Sequence, residues 1–375
     1  MMLTLLMSAC SPDVQKPTVL IDANAPKIIW ESTNFLQEVD KDVQNVTDIL
    51  IANDGRVFAT FYDDAHISYI AVSDDEGKSW EMSELLGMKN PRALRQLSDD
   101  SFILGVTGLS DFPLLYVSED GLNWEELITE GETLPNSYAS SVWDIVQMSD
   151  GSLLIATDSA DNDPRDENPA IYKLKDGILT SIAEFNGIGV ISLEIDLVGN
   201  IYAAVQETDE HSDSEIAGQA RIFKSIDDGE TWIEKEAPEG ANRIYDILAT
   251  SDGNIYLGSG LLGEFYRSTD RGTTWEKMTH VPDVEVMGRQ GEGIVERKAT
   301  RIYQMIELSN GSILVGTGNE TGNIFLTEDG GESWIETSDT GHNIVTWGLA
   351  QDPKTGLLWA GTGSHGGDIF TAVVE

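Results

Sequence analysis

Residues 225–232 read Ser-Ile-Asp-Asp-Gly-Glu-Thr-Trp, and close variants of this pattern occur four more times in the 375-residue chain. An Asp side chain accepts hydrogen bonds from the N–H groups of its own turn, and Gly adopts a positive φ without steric cost. Each copy therefore predicts a tight turn between two strands, after which the Trp packs into a core. The other copies lie at residues 73–80, 118–124, 268–275 and 327–334.

A second repeat spans the chain more evenly than this turn pattern. Pairs of apolar, strand-like runs are joined by short polar turns at intervals of about 45 to 58 residues, the size of one four-stranded propeller blade. The spacing predicts seven units, of which the one around residues 172–177 has lost the turn pattern. No segment has a sustained 3.6-residue apolar period, so we expect helices to be nearly absent. The polar turns fall at residues 54–55, 99–100, 150–151, 199–200, 252–253, 310–311 and 355–356.

The two ends of the chain complement each other. The last unit ends one strand short, and residues 27–31 (Lys-Ile-Ile-Trp-Glu) match the strand that follows each turn, such as Trp80-Glu81. An N-terminal strand that completes the last blade removes two open sheet edges. The predicted fold is therefore all-β: a single domain over residues 27–375, formed by a seven-bladed propeller of four-stranded antiparallel blades.

The charge of the chain restricts its partners. The 65 acidic residues exceed the 23 basic ones, which gives a formal net charge of −42 at pH 7. This field repels nucleic acids and anionic lipid headgroups, so neither is an expected partner.

The first ten residues read Met-Met-Leu-Thr-Leu-Leu-Met-Ser-Ala-Cys, and Cys10 is the only cysteine in the sequence. An apolar run, small residues and a Cys resemble the signal of bacterial lipoproteins. The resemblance implies a signal peptide at residues 1–9, acylation of Cys10 and a flexible tether at residues 10–26. The expected location is the bacterial cell envelope, at the outer membrane or cell surface, with membrane contact only through the lipid.

In a propeller, the innermost strands start at one face, here called the top face, and the Asp-containing turns lie at the opposite, bottom face. Arg243-Ile244-Tyr245 and Arg301-Ile302-Tyr303 occupy equivalent positions at the start of innermost strands. Arginines at a channel mouth bind carboxylates, and aromatic rings stack on sugars. The predicted ligand-binding residues are Arg243, Arg301, Arg92, Tyr245, Tyr303, Trp143, Trp347, His66, His342 and His365.

Residues 158–167 form an oxygen-rich acidic stretch. Its Asp161, Asp163 and Asp166 suit Ca²⁺ as ligands, although their spacing is not that of an EF-hand. No cofactor is expected to be required, and a solvated loop is the alternative interpretation.

The recurring Ser-x-Asp-x-Gly-x-Thr-Trp pattern resembles the Asp-box, or BNR repeat, of β-propeller proteins. These include sialidases, xyloglucan-cleaving glycosidases and the photosystem II assembly-factor family, so the resemblance implies a fold and leaves the activity open. We expect a non-catalytic binding or assembly module that takes an acidic glycan or a protein partner on its top face. The alternative is a sialidase-like glycoside hydrolase or a polysaccharide lyase acting on anionic sugars.

Overall fold

The computed structural model describes residues 28–85, 89–107, 114–134, 141–158, 170–185, 189–206, 220–241, 243–260, 263–282, 284–287, 294–297, 301–318, 323–337, 340, 345–364 and 366–374. Over these ranges the chain consists of short strands and one helix of five residues, which confirms the expected near-absence of helix. None of the described segments is a helix long and apolar enough to cross a membrane.

Most strands belong to four-stranded antiparallel units in which each strand pairs with the next along the chain. The chain begins with β1 (Glu31–Ser32) and α1 (Phe35–Val39). The first unit contains β2 (Val43–Ile51), β3 (Val57–Asp63), β4 (Ser68–Ser73) and β5 (Glu81–Glu84). The second unit contains β6 (Lys89–Gln96), β7 (Phe102–Thr107), β8 (Leu115–Ser118) and β9 (Glu125–Glu126), and β10 (Glu130–Gly131) follows it. The third unit contains β11 (Val142–Gln147), β12 (Leu153–Thr157), β13 (Ala170–Lys175) and β14 (Ile178–Glu184).

The remaining units repeat this order. The fourth unit contains β15 (Gly189–Ile195), β16 (Ile201–Gln206), β17 (Arg221–Ser225) and β18 (Ile233–Lys235). The fifth unit contains β19 (Ile244–Ala249), β20 (Ile255–Ser259), β21 (Phe265–Ser268) and β22 (Glu276–Lys277), followed by a hairpin of β23 (Val284–Met287) and β24 (Ile294–Arg297). The sixth unit contains β25 (Arg301–Glu307), β26 (Ile313–Gly318), β27 (Ile324–Thr327) and β28 (Ile335–Glu336). The last unit contains β29 (Val345–Gln351), β30 (Leu358–Gly363) and β31 (Ile369–Ala372).

The core lies between neighbouring units. Tyr256 and Phe265 of the fifth unit pack with Ile302 and Val315 of the sixth, and similar clusters join other pairs of units. The second strand of each unit is therefore covered on both faces, which explains why strands such as β3 and β30 are apolar without alternation.

The first strand of each unit, here called the inner strand, contacts the inner strand of the next unit. The inner strands are β2, β6, β11, β15, β19, β25 and β29. β2 also contacts β29 and pairs with β30 through Asn45 and Gly363, so the first and last units are neighbours.

The Asp-containing turns form as predicted from their sequence. In the fourth unit, Asp227 accepts hydrogen bonds from the Thr231 N–H at 2.9 Å and the Thr231 hydroxyl at 2.6 Å. The Ser225 hydroxyl donates to Asp227 at 2.8 Å and accepts from the Gly229 N–H at 3.0 Å. The closing Trp is fully buried at Trp80 and Trp334 and only half-buried in the other copies, so its expected packing is confirmed in part.

These turns also join one unit to the preceding one. Gly121 lies so close to Phe58 of the first unit that a Cβ would come within 2.2 Å of its ring. In the same way, Gly272 faces Tyr202 of the fourth unit and Gly331 faces Phe265 of the fifth. Glycine is therefore needed for close packing as well as for its positive φ.

The N-terminal segment pairs with the end of the chain. β1 runs antiparallel to β31, with Glu31 opposite Thr371, and an isolated bridge joins Ile28 to Val374. Trp30 is buried, and its indole N–H donates to the Thr337 hydroxyl at 2.8 Å. This segment therefore covers the edge of β31 in the last unit.

The third unit, whose turn lacks the Asp-containing pattern, has an additional strand. β10 leaves the second unit and pairs in parallel with β14, with Glu130 opposite Ile178. The outer edge of the third unit is therefore covered by a segment that precedes it in the chain.

Candidate functional site

The pairing register shifts in every inner strand, as expected for β-bulges, and bulges redirect side chains near binding sites. Five strands have one displaced residue, β2 has shifts at two places, and β6 is irregular over residues 90–92. A displaced side chain from each inner strand lines one solvent-accessible cavity of about 140 Å³. These seven residues are Thr47, Arg92, Trp143, Ile191, Tyr245, Tyr303 and Trp347.

Three rings form what we call the aromatic wall: Tyr245, Tyr303 and Trp347. The ring centroids of Tyr245 and Tyr303 are 5.1 Å apart, and those of Tyr303 and Trp347 are 4.4 Å apart. Arg301 lies against this wall, because its guanidinium is 5.7 Å from the Tyr245 ring and donates to the Tyr303 hydroxyl at 2.9 Å. The Trp347 indole N–H donates to Asn45 at 3.0 Å, which fixes the ring plane.

A second wall is formed by Arg92 and Trp143. The Arg92 guanidinium lies 4.1 Å from the centre of the Trp143 ring, a cation–π contact. The Trp143 indole N–H in turn donates to the Asp158 carboxylate at 2.6 Å. Burial raises the pKa of Asp158 to about 6, against the opposing effects of the bonds from Trp143 and Ser141 and the charge of Arg92.

The residues that follow the bulges connect the inner strands at the base of the cavity. Each of these side chains accepts a hydrogen bond from a backbone N–H in the inner strand of the next unit. The pairs are Asp48 with Leu94, Asp144 with Leu193, Ser192 with Ile247, Asp246 with Met305, and Gln304 with Leu349. These carboxyl, hydroxyl and amide groups therefore have structural partners.

Arg95 is the cation among these acceptors. Its guanidinium contacts Asp48 at 3.1 Å and Asp144 at 2.6 Å, which places it between the first and third units. Burial opposes its charge, but the carboxylates of Asp144 and Asp48 prevail and raise the pKa of Arg95. About two fifths of the side chain remains accessible from the cavity (38%).

Two further carboxyl groups lie beside this cluster. Burial raises the pKa of Asp246 to about 8, despite the bond that it accepts from Met305. Burial likewise raises the pKa of Glu194 to about 8, despite the bond from the Ala249 N–H. Both carboxyl groups are therefore predominantly protonated at neutral pH.

The structure brings together five residues that the sequence singled out: Arg92, Trp143, Tyr245, Tyr303 and Trp347 all line the cavity. Arg301 contacts two of them.

The other predicted ligand-binding residues lie elsewhere or outside the described residues. Arg243 is only 4% exposed, has a φ of +52° and is not among the residues that line the cavity. Arg243 thus differs in exposure from Arg301, and the expectation that both guanidiniums meet at the channel mouth stays a prediction. His66 is exposed, and its ring lies 5.9 Å from that of cavity-lining Tyr62. His342, His365, Asp161, Asp163, Asp166 and Cys10 lie outside the described residues.

Sequence reasoning missed Arg95 and the acceptors at the base of the cavity, including Asp144, Asp246 and Gln304. A signal for the acceptors was available in the aligned triplets Thr-Asp-Ile at 47–49, Trp-Asp-Ile at 143–145, Tyr-Asp-Ile at 245–247 and Tyr-Gln-Met at 303–305. The described residues contain no group of three or more His, Cys, Asp or Glu side chains that could hold a metal ion.

The cavity can therefore offer flat rings, hydrogen-bonding groups and guanidinium charge at the same point. Its lining contains Arg92 and Arg95 as cations and Asp144 and Asp246 as acids, of which Asp246 is largely neutral at pH 7. Two guanidiniums beside flat rings in an otherwise acidic protein suit a single anionic group attached to a ring.

Comparisons with known proteins agree with the fold. Residues 266–277 match the BNR/Asp-box repeat family. A xyloglucanase from a Paenibacillus species is 23% identical over 155 residues, a stretch covering 39% of this chain and 14% of that enzyme. Catalytically inactive virginiamycin B lyase from Staphylococcus aureus, solved with quinupristin, superposes with a TM-score of 0.65 at 14% identity, covering 93% of this chain and 99% of the lyase. YCF48 bound to D1 peptide superposes with a TM-score of 0.62 at 12% identity, covering 98% of this chain and 100% of YCF48. The repeated turn, the four-stranded antiparallel units and these likenesses show a β-propeller fold that carries BNR/Asp-box repeats.

Proposed function

We propose that this chain is a non-catalytic binding module that takes an acidic sugar residue in the cavity between its inner strands. The observation that carries the proposal is the set of bulges, which direct side chains from every inner strand into one cavity. A purely structural channel has no need for three adjoining aromatic rings and a stacked arginine at these positions.

The proposal includes a closed ring of seven blades, with the cavity on its axis. Supporting it, each inner strand contacts the next in chain order, β2 contacts β29, and β1 pairs with β31 in the last unit. Deletion of residues 1–32 removes Trp30 and opens two sheet edges, so we expect aggregation or a large loss of stability. Deletion of residues 1–24 is the control, and equal denaturation midpoints for the two truncations would contradict closure by this strand.

The dimensions and chemistry of the cavity fit one sugar ring. Its volume of about 140 Å³ is close to the roughly 150 Å³ of an apolar cavity that holds benzene, so it has room for one six-membered ring while the ring's polar substituents extend towards solvent. The apolar face of a pyranose packs against the aromatic wall, and a carboxylate on the same ring reaches the guanidiniums of Arg92 and Arg301.

The engagement of the carboxyl groups favours binding over catalysis. Asp144 is occupied by Arg95 and by the Leu193 N–H, and Asp246 accepts from the Met305 N–H at 2.6 Å. A glycosidase needs two carboxyl groups free to act on the bond. The observation that favours a hydrolase is the pKa of Asp246, which at about 8 would suit a general acid.

Calorimetric titration with sodium glucuronate, with glucose as the neutral control, tests the proposal. We expect glucuronate to bind and glucose to bind much more weakly, with no cleavage of acidic oligosaccharides. Replacing Arg92 or Arg301 by Ala should weaken glucuronate binding about tenfold to a hundredfold, since a charge-assisted bond contributes about 1.5–3 kcal/mol.

The matched control is Arg271→Ala, because Arg271 is exposed in an Asp-containing turn away from the cavity. Equal losses for Arg271→Ala and Arg301→Ala would exclude a specific carboxylate site. Stronger binding of a peptide carboxylate than of glucuronate would assign the cavity to a protein partner instead. Release of sugar from acidic oligosaccharides would favour the hydrolase or lyase.

We further propose that the module is held at a bacterial membrane by acylation of Cys10, on the basis of its lipoprotein-like sequence context. Cys10→Ala should shift the protein from the membrane fraction to the soluble fraction or leave it unprocessed. Unchanged membrane association of that variant would refute the anchor.

A further inference from the structure

Four acids and one base meet at the base of the cavity, in a group that we name the channel floor: Asp48, Arg95, Asp144, Glu194 and Asp246. Arg95 is shared between two of the acids, Asp48 and Asp144. Asp246 accepts the Met305 N–H at 2.6 Å, and Glu194 accepts the Ala249 N–H at 3.2 Å. Over the described ranges, neither of these two carboxyl groups forms an ion pair.

The surroundings of Asp246 and Glu194 contain few charges. The charges of Arg95 on β6 and Asp144 on β11 act on both carboxyl groups. The charge of Asp246 also acts on Glu194. β25 contributes the neutral Gln304 and the backbone of Met305. The remaining titratable groups at the cavity are Asp48, which is bonded to Arg95, the guanidinium of Arg92, and the phenols of Tyr62, Tyr245 and Tyr303.

The protonation of these two acids decides the charge that a ligand meets. While both are neutral, the remaining charges nearly balance, because the guanidiniums of Arg92, Arg95 and Arg301 face the carboxylates of Asp48, Asp144 and Asp158. Once both are ionised, two uncompensated negative charges lie beside or in the cavity. Charges a few ångströms apart interact strongly in such poorly hydrated surroundings.

We propose that Asp246 and Glu194 set the charge preference of the cavity, which accepts an anionic sugar only while both carboxyl groups carry their protons. The inference rests on the proposed binding of an acidic sugar and adds its control by pH. Burial, which raises both pKa values to about 8, supports it. The control then operates in the alkaline range, where the ligand carboxylate is ionised throughout, because free carboxyl groups titrate near about pH 4.

The test is the affinity for sodium glucuronate from pH 6.5 to 9.5, compared between the wild type and the double variant Asp246→Asn with Glu194→Gln. These amides imitate the protonated acids in shape. We expect the wild type to lose about tenfold or more in affinity over this range, and the double variant to change by less than about twofold. Asp176→Asn, in an exposed turn, is the control and should behave as the wild type.

Thermal melting without ligand provides a second measurement. The wild type should melt at a lower temperature at pH 9.5 than at pH 6.5, and the double variant should show a much smaller difference. Glucuronate binding that does not depend on pH would overturn this inference and leave the proposed function intact. Absence of glucuronate binding at every pH would overturn both, and a double variant that retains the wild-type decline would show that other groups cause it.

Discussion

Asp270 in an Asp-containing turn and Asp246 in the channel floor have opposite properties. In the turn at residues 268–275, Asp270 accepts hydrogen bonds from the Thr274 hydroxyl at 2.7 Å and the Thr274 N–H at 2.8 Å, which lower its pKa to about 2. In the channel floor, Asp246 is partly buried, and this burial raises its pKa to about 8. The same residue type is thus held as an anion at Asp270 and as a neutral acid at Asp246.

The difference shows what makes a repeated carboxylate structural or functional. A turn Asp has several donors within its own turn and open solvent around it, so its charge is fully satisfied locally. A floor Asp depends on donors from a neighbouring unit and competes with other acids for one arginine. Only the second arrangement leaves a charge that a ligand or a change in pH can alter.

The largest expected effect is on the pH dependence of stability, which separates the two regions. Asp270 has a depressed pKa, so its contribution is present above about pH 4 and is lost as the pH falls towards about 2. Asp246 and Glu194 have raised pKa values, so their contribution is present below about pH 4 and is lost as the pH rises to about 8.

The free energy of unfolding should therefore be highest near about pH 4–5 and should fall by more than about 4 kcal/mol by pH 9. Urea denaturation at several pH values measures this profile. Constant stability between pH 5 and pH 9 would mean that the floor acids are ionised throughout.

The next largest effect is expected from Arg95→Ala. The substitution leaves Asp48 and Asp144 without their shared cation, and both are nearly buried. A buried charge that loses its partner destabilises a protein by several kcal/mol, and after allowance for the partial exposure of Arg95 we expect about 3 kcal/mol. Urea denaturation of Arg271→Ala, whose side chain is exposed, is the control and should differ from the wild type by less than about 0.5 kcal/mol.

Two glycines with nearly equal φ distinguish packing from backbone strain. A Cβ at Gly121 (φ +80°) would clash with Phe58, whereas Gly151 (φ +85°) has open space around it. Both alanine variants incur the strain of a positive φ, about 1 kcal/mol, and Gly121→Ala should lose about 2 kcal/mol more through the clash. If the two variants unfold at the same urea concentration, the turns do not join neighbouring units as described.

The smallest effects come from removing one hydroxyl in each region. Ser192→Ala leaves the buried N–H of Ile247 without its acceptor at 3.2 Å, which should destabilise the protein by about 1–2 kcal/mol. Thr231→Val removes an exposed bond to Asp227, for which water substitutes, and should lose about 0.5 kcal/mol or less. A larger loss for Thr231→Val, measured by urea denaturation, would reverse the contrast between floor and turns.

Local chemistry made much of the fold predictable from the sequence. Each Asp-containing turn is defined by bonds within eight residues, so its geometry follows from the residue types at 225–232 alone. The four-stranded units could be predicted because each strand pairs with the next one along the chain, and the pairing of the N-terminal segment with the end of the chain could be predicted from the sequence around Trp30.

The site was harder to predict because it depends on register between strands. Arg243 and Arg301 precede the same Ile-Tyr sequence, yet Arg301 pairs with Gly318 inside β25 while Arg243 lies before β19 with a positive φ. The bulge that directs Tyr245 into the cavity is a shift in pairing with β20, which residue types alone do not encode. The partnership of Arg95 with Asp48 and Asp144 joins three units and has no local signature.

The parallel strand β10 has a consequence for the order in which the nascent chain matures. β10 leaves the ribosome before its partner β14, because β11, β12 and β13 must be synthesised in between. Domains are made from the N-terminus at about 5–20 residues per second, so β10 waits for seconds without a partner. The third unit therefore cannot cover its outer edge with its own strands alone, because the covering strand β10 precedes it in the chain. The third unit is complete only when β14 pairs with β10. A nascent chain halted before residue 178 therefore leaves β10 exposed to proteases and chaperones.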